Sequence, residues 1–185
     1  QRPVVRSKTA ETTALGAAYL AGSATPPWKV PYIFIGRMIA EIADKMGYDL
    51  ALFCAVAEQE SIFRHVFGAD WGSVGADRVP FAHLPVTKSR WDALLAHVHR
   101  GGVSNGVGPM QITYSGYLYI AEKRGGADRL RVALEVGYEA LADYLETYGY
   151  RKGLGAYNGG PSNPNYAYAD AVISRHRQWK DRLSA

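Results

Sequence analysis

The chain has 185 residues, 48% hydrophobic and 21% charged, a balance that excludes disorder and fits one globular domain of ordinary size. Its one cysteine, Cys54, excludes an intramolecular disulfide framework and any zinc site built on two or more thiolates. The formal charge of +4 comes from scattered basic residues that gather only at Arg175, Arg177, Lys180 and Arg182, so no nucleic acid partner is expected and a polyanionic surface is compatible.

No apolar run reaches the ~20 residues that span a bilayer, and no basic, apolar, small-residue succession marks a secretory signal. Membrane insertion is therefore not expected, and Gln1 in place of Met is what an excised or processed chain would show. Residues 1–30 read as an N-terminal arm or linker. Thr12 to Gly22 is compatible with a short helix closed by Gly22, and Pro26-Pro27 then break it. The stretch Arg2–Gly22 resembles a short piece of the sugar-kinase (glycerol kinase) family, a match as short as coincidence or a fusion remnant would give. None of that family's phosphate-binding loops follow, so no function is carried from it.

From Pro31 the pattern is helical. Ile33, Ile35, Met38, Ile39, Ile42, Ala43 and Met46 carry the apolar pattern, Pro31 suits a first turn, and Gly47 is the stop. Asp49 is an expected N-cap for a second helix, Leu50 to about Phe63. An irregular stretch, Gly68 to Pro85, precedes a helix over Thr87–His99 that carries Trp91, Leu94, Leu95 and Val98. A helix is expected around Thr113–Lys123, and the strongest periodicity lies in Asp128–Tyr148, with Asp128 as its cap. Gly149 to Pro164 reads as turns, and Asn165–Leu183 as the last helix. No run alternates with period two for long enough to make a sheet. The fold class is all-α.

Three segments have compositions unusual for connectors. In Val56-Ala57-Glu58-Gln59-Glu60-Ser61, Glu60 shares a helix face with Leu50, Phe53 and Ala57. A carboxyl there is partly buried, and desolvation lifts it toward the range of a general acid. Glu58 sits about 160° away around the same helix; solvation of both glutamates is the plainer alternative. Gly106-Val107-Gly108-Pro109-Met110-Gln111-Ile112 sets an amide between two apolar residues after glycines that allow close backbone approach. Gly155-Ala156-Tyr157-Asn158-Gly159-Gly160 reads as a loop offering a tyrosine and an amide to a sugar. Each of the last two, alone, is a turn signal.

In this order, and followed by Tyr168-Ala169-Asp170-Ala171-Val172-Ile173, the segments resemble the lytic transglycosylase and goose-type lysozyme family. Its pattern runs Glu-Ser, Gly-Leu-Met-Gln-Ile, Ala-Tyr-Asn-Ala-Gly and Tyr-Val-x-x-Val. The resemblance covers roughly 31 to 182 and implies that 31–185 is a lysozyme-like domain, with a cleft between helical lobes, that cleaves peptidoglycan. Glu60 would be the catalytic acid. Ser61 would orient the substrate's acetamido group or the acid, and Met110 and Gln111 would line the cleft, Gln111 as a donor. Tyr157 and Asn158 would contact the sugar, and Tyr168 would support Glu60. Pro109 and Gly159 depart from the family's usual Leu and Ala, and the interval between Glu60 and Gly106 is longer than in many members.

The motifs supply one carboxylate where most glycosidases need two. In the resembled transglycosylases the substrate's acetamido oxygen assists, and the muramic 6-hydroxyl closes a 1,6-anhydro ring. A goose-type lysozyme instead positions water with a loop aspartate, for which Asp70 and Asp77 are the candidates; Asp92 reads as a solvated helix residue. A third reading is a non-catalytic glycan-binding module of a larger wall-associated protein. His97 and His99 point in different directions on a helix and do not make a metal pair. His65, His83 and His176 read as isolated surface residues, and Cys54 as a buried structural thiol. A monomer without metal or cofactor is expected. It would be delivered as a phage endolysin or virion-associated lysin, or as a domain of a longer secreted protein.

Overall fold

The computed structural model describes residues 29–69 and 81–184. The arm helix expected near Thr12 and both candidate water-positioning residues, Asp70 and Asp77, lie outside the described residues. Helices make up most of the chain: α1 (Lys29–Met46), α2 (Leu50–Ser61), α3 (Lys88–His99), α4 (Ser115–Lys123), α5 (Leu130–Tyr148), α6 (Tyr150–Gly159) and α7 (Tyr166–Ser184). Among the described residues there is no strand, only isolated bridges joining Val66 to Pro85 and Phe67 to Val107. No helix there is long and apolar enough to cross a membrane.

α2 is the centre of the molecule. Every residue from Ala51 to Ala57 is buried, as befits a helix apolar on all sides. α1 and α7 pack against it, and Tyr138 of α5 stacks on Phe53 with ring centroids 3.8 Å apart. The Tyr138 hydroxyl, fully buried, donates to the Phe53 carbonyl at 3.0 Å, which meets its need for a partner. Cys54 is buried here too, and burial pushes its thiol well above the ordinary range. At the start of the helix Asp49 accepts from the Ala51 amide at 2.8 Å, so it is the N-cap.

α2 ends earlier than its apolar pattern predicts. Ile62 and Phe63 both take left-handed backbone, with φ of 52° and 59°, so the helix stops at Ser61 and the chain turns away one residue beyond Glu60. Asp128 is a second correction. α5 starts at Leu130 with Arg129 at the cap position and no side-chain cap bond; the Asp128 carbonyl instead accepts from His65 Nε2 at 3.1 Å.

The segment expected as turns contains α6. Gly153, Leu154, Gly155 and Ala156 are buried in it, and a Cβ on Gly153 would come within 2.6 Å of the Tyr144 carbonyl oxygen. Gly153 lets α6 lie close on α5, and Gly155 lets the Pro164–Asn165 backbone approach it, so here these glycines serve packing rather than turning.

Candidate active site

Glu60 lies half-buried at the last turn of α2. Tyr168, in the first turn of α7 and buried to 8% exposure, donates its hydroxyl to Glu60 Oε1. Burial, and next the Glu60 charge, hold the Tyr168 phenol well above its ordinary range. It therefore remains a donor at any ordinary pH, and a donated hydrogen favours the ionised carboxylate.

The loop after Gly106 is pinned under this pair from three sides. Ser61, buried, sets its hydroxyl 3.0 Å from the Pro109 carbonyl and 3.4 Å from that of Ala57. Tyr157 of α6 donates to the Met110 carbonyl at 2.6 Å, and burial, then the Glu60 charge, raises its phenol as well. Gln111, in left-handed backbone at φ 49°, donates from Nε2 to the Gly108 carbonyl at 2.8 Å and that of Val66 at 3.3 Å. A Cβ on Gly106 would come within 2.4 Å of Gln111 Oε1; the motif's first glycine makes room for that amide.

These placements refine the expected roles. Hydrogen bonds pair Glu60 with Tyr168, Ser61 with Pro109 and Tyr157 with Met110, and Asn158 lies one residue beyond Tyr157. Ser61 spends its hydroxyl on the loop. The Met110 side chain is fully buried, beneath the expected cleft wall rather than on its surface. Both Nε2 hydrogens of Gln111 are taken by backbone carbonyls, so in this arrangement it braces the loop. Asn158 is exposed, and its Oδ1 accepts from Asn165 Nδ2 at 2.8 Å.

Several participants were not read from the sequence. Beside Met110 and Gln111 lies a depression lined by Ile112, Tyr114, Tyr117, Tyr144 and Tyr157 among others; Tyr114-x-x-Tyr117 directly after the Met-Gln-Ile run was the available signal. Glu58 is partly buried and has partners: Trp179 Nε1 donates to it at 2.8 Å, and Arg175 lies 3.6 Å away and donates to Gln59 at 2.7 Å. His176 is not isolated either, lying between Asp49 Oδ2 at 2.9 Å and the Tyr150 hydroxyl at 2.5 Å. His65 is partly buried, whereas His97 and His99 do diverge: His97 Nε2 lies over Gly102, and His99 stacks on Tyr119 and meets Glu122 at 3.1 Å. Asp92 forms an exposed pair with Lys88 at 2.5 Å.

No protein-family profile matches the chain, and no solved structure matches it. A curated relative, a glycerol kinase of Symbiobacterium thermophilum, is 50% identical over 58 residues, or 31% of this chain. The chain spans 10% of that relative's length, so the similarity is to a fragment of a glycerol kinase.

Proposed function

We propose that this chain cleaves the β-1,4 bond between N-acetylmuramic acid and N-acetylglucosamine in bacterial peptidoglycan, within a lysozyme-like fold and with Glu60 as general acid and then base. The observation that carries the reading is the hydrogen bond from Tyr168 to Glu60. It joins two motifs more than a hundred residues apart in sequence, while Ser61 and Tyr157 tie the other two motifs to the same place. Four short segments that the resemblance puts in one site thus share one hydrogen-bonded cluster.

The chemistry balances with one carboxyl. Protonated Glu60 gives its proton to the bridging oxygen as the glycosidic bond breaks, and the substrate's acetamido oxygen bonds to the anomeric carbon. The carboxylate, steadied by Tyr168, then takes the proton of the muramic 6-hydroxyl. That oxygen displaces the acetamido oxygen and closes the 1,6-anhydro ring. The tyrosine-lined depression beside Tyr157 suits a sugar ring, since aromatic faces stack on apolar sugar surfaces and hydroxyls meet polar ones. In this reading the chain is a phage-borne lysin or a domain of a longer secreted protein.

Turbidity clearing of purified cell walls tests the reading. The wild type is expected to clear them, and Glu60→Gln to lose about a hundredfold or more, the range for removing a general acid. Equal clearing by both proteins, or none by the wild type, contradicts it.

A further inference from the structure

Asn165 immediately precedes α7, and each of its polar groups has a partner. Its Oδ1 accepts from the Tyr168 amide at 3.0 Å, its amide donates to the Gly155 carbonyl at 2.9 Å, and its carbonyl accepts from Ala169 at 3.1 Å. Its Nδ2 donates to Asn158 Oδ1 at 2.8 Å. α6 is shaped to receive it: a Cβ on Gly159 would come within 2.8 Å of the Asn165 nitrogen, and one on Gly155 within 3.1 Å of its carbonyl oxygen.

From this geometry we infer that Asn165 is a positioning residue that sets two parts of the site at once: the place of Tyr168 against Glu60, and the hydrogen-bonding polarity of Asn158. Tyr168 stands in the first turn of α7, where amides lack helical partners. The cap from Asn165 fills that need and holds the turn against fraying. The second effect follows from the first. An amide hydrogen points at one side-chain atom of Asn165, which must be its oxygen. Its Nδ2 therefore faces Asn158, which must answer with Oδ1. Asn158 is left with Nδ2, a donor, to offer outward. The orientation of one amide fixes that of the other.

Replacements separate the two effects. Asn165→Asp keeps the cap acceptor but has no donor, so Asn158 must turn and offer an acceptor instead. Asn165→Ser keeps the cap and releases Asn158. Asn165→Ala loses both. The kinetic arm rests on the proposed cleavage; a spectroscopic arm does not. With ¹³C-labelled tyrosine, the Tyr168 Cζ resonance, assigned through Tyr168→Phe, is followed from pH 3 to pH 8 (roughly the span of perturbed carboxyl groups). In the wild type it is expected to shift as Glu60 ionises, and to lose that inflection in Glu60→Gln and in Asn165→Ala. Asn165→Asp and Asn165→Ser are expected to retain it.

On cell-wall glycan, Asn165→Asp is expected to raise KM about tenfold with a smaller change in kcat, the size of one mismatched hydrogen bond. Asn165→Ala is expected to lower kcat by about tenfold to a hundredfold through displacement of the acid's partner. An inflection preserved in Asn165→Ala overturns the first role, and a wild-type KM in Asn165→Asp overturns the second. If Asn165→Ala does not fold, loss of the inflection in Asn165→Ser overturns the first role instead. If the wild type clears no walls the cleavage reading falls, and the resonance alone decides the positioning role.

Discussion

At the scale of single residues, the site depends on which hydrogen bonds a side chain has already made. Tyr168 is buried and Tyr157 half-buried, and both phenols are held protonated by burial and by the neighbouring carboxylate, yet one bonds Glu60 and the other the loop. If Tyr168 steadies the Glu60 carboxylate, Tyr168→Phe removes a hydrogen bond to a charged group and is expected to lower kcat about tenfold to a hundredfold. Without the donor the carboxylate is less favoured, so Glu60 holds its proton to higher pH and the alkaline limb of the rate profile moves up. A pH–rate profile checks this, and an unmoved alkaline limb contradicts it. Residue identities made Glu60 and Tyr168 legible from the motifs. The engagements of Ser61 and Gln111 were not, because they depend on carbonyls brought near only by folding. Asn165 left a local trace, an Asn ahead of a helix, but its tie to Asn158 is made across two elements.

At the scale of elements, periodicity and the Asp49 cap were read well, the Asp128 cap and the glycines of α6 poorly. Asp49 was legible because a cap is a local interaction; its further partners, His176 and Lys180, come from α7 and were not. Burial alone would raise the Asp49 carboxyl, but hydrogen bonds from His176 and the Ala51 amide together bring it below its ordinary value of 3.8. A carboxyl depressed in the folded state stabilises the fold above the ordinary value, and that support is lost as pH falls through the folded one. Asp49→Ala is expected to cost about 1 kcal/mol at neutral pH, with the gap to the wild type closing below pH 3.8. Urea unfolding at pH 7 and near pH 3 measures it, about one unit below the aspartate reference; a gap that stays constant contradicts the assignment. α6 was missed because Gly153 and Gly155 signal turns locally and close packing only in context. The overrun of α2 has the same cause: nothing in Ile62 and Phe63 announces left-handed backbone, since both residue types disfavour it.

At the scale of the whole molecule, the helical class followed from apolar periodicity, and the buried faces confirm why. Trp91, Leu94, Leu95 and Val98 are buried on α3, and Ala51 to Ala57 on α2, each where the spacing puts them. The relation of the helices to one another was not legible, because the stacking of Tyr138 on Phe53 joins residues 85 apart. The same holds for the site, whose members come from α2, the loop near Met110, α6 and α7. If this assembly cuts glycan strands with Glu60 and closes an anhydro ring, mass spectrometry of the soluble fragments released from purified peptidoglycan shows it most directly. Fragments ending in 1,6-anhydro-muramic acid, absent when Glu60→Gln replaces the wild type, are expected. Reducing ends would contradict the transglycosylase chemistry, and release of the same fragments by Glu60→Gln would contradict the role of Glu60 itself.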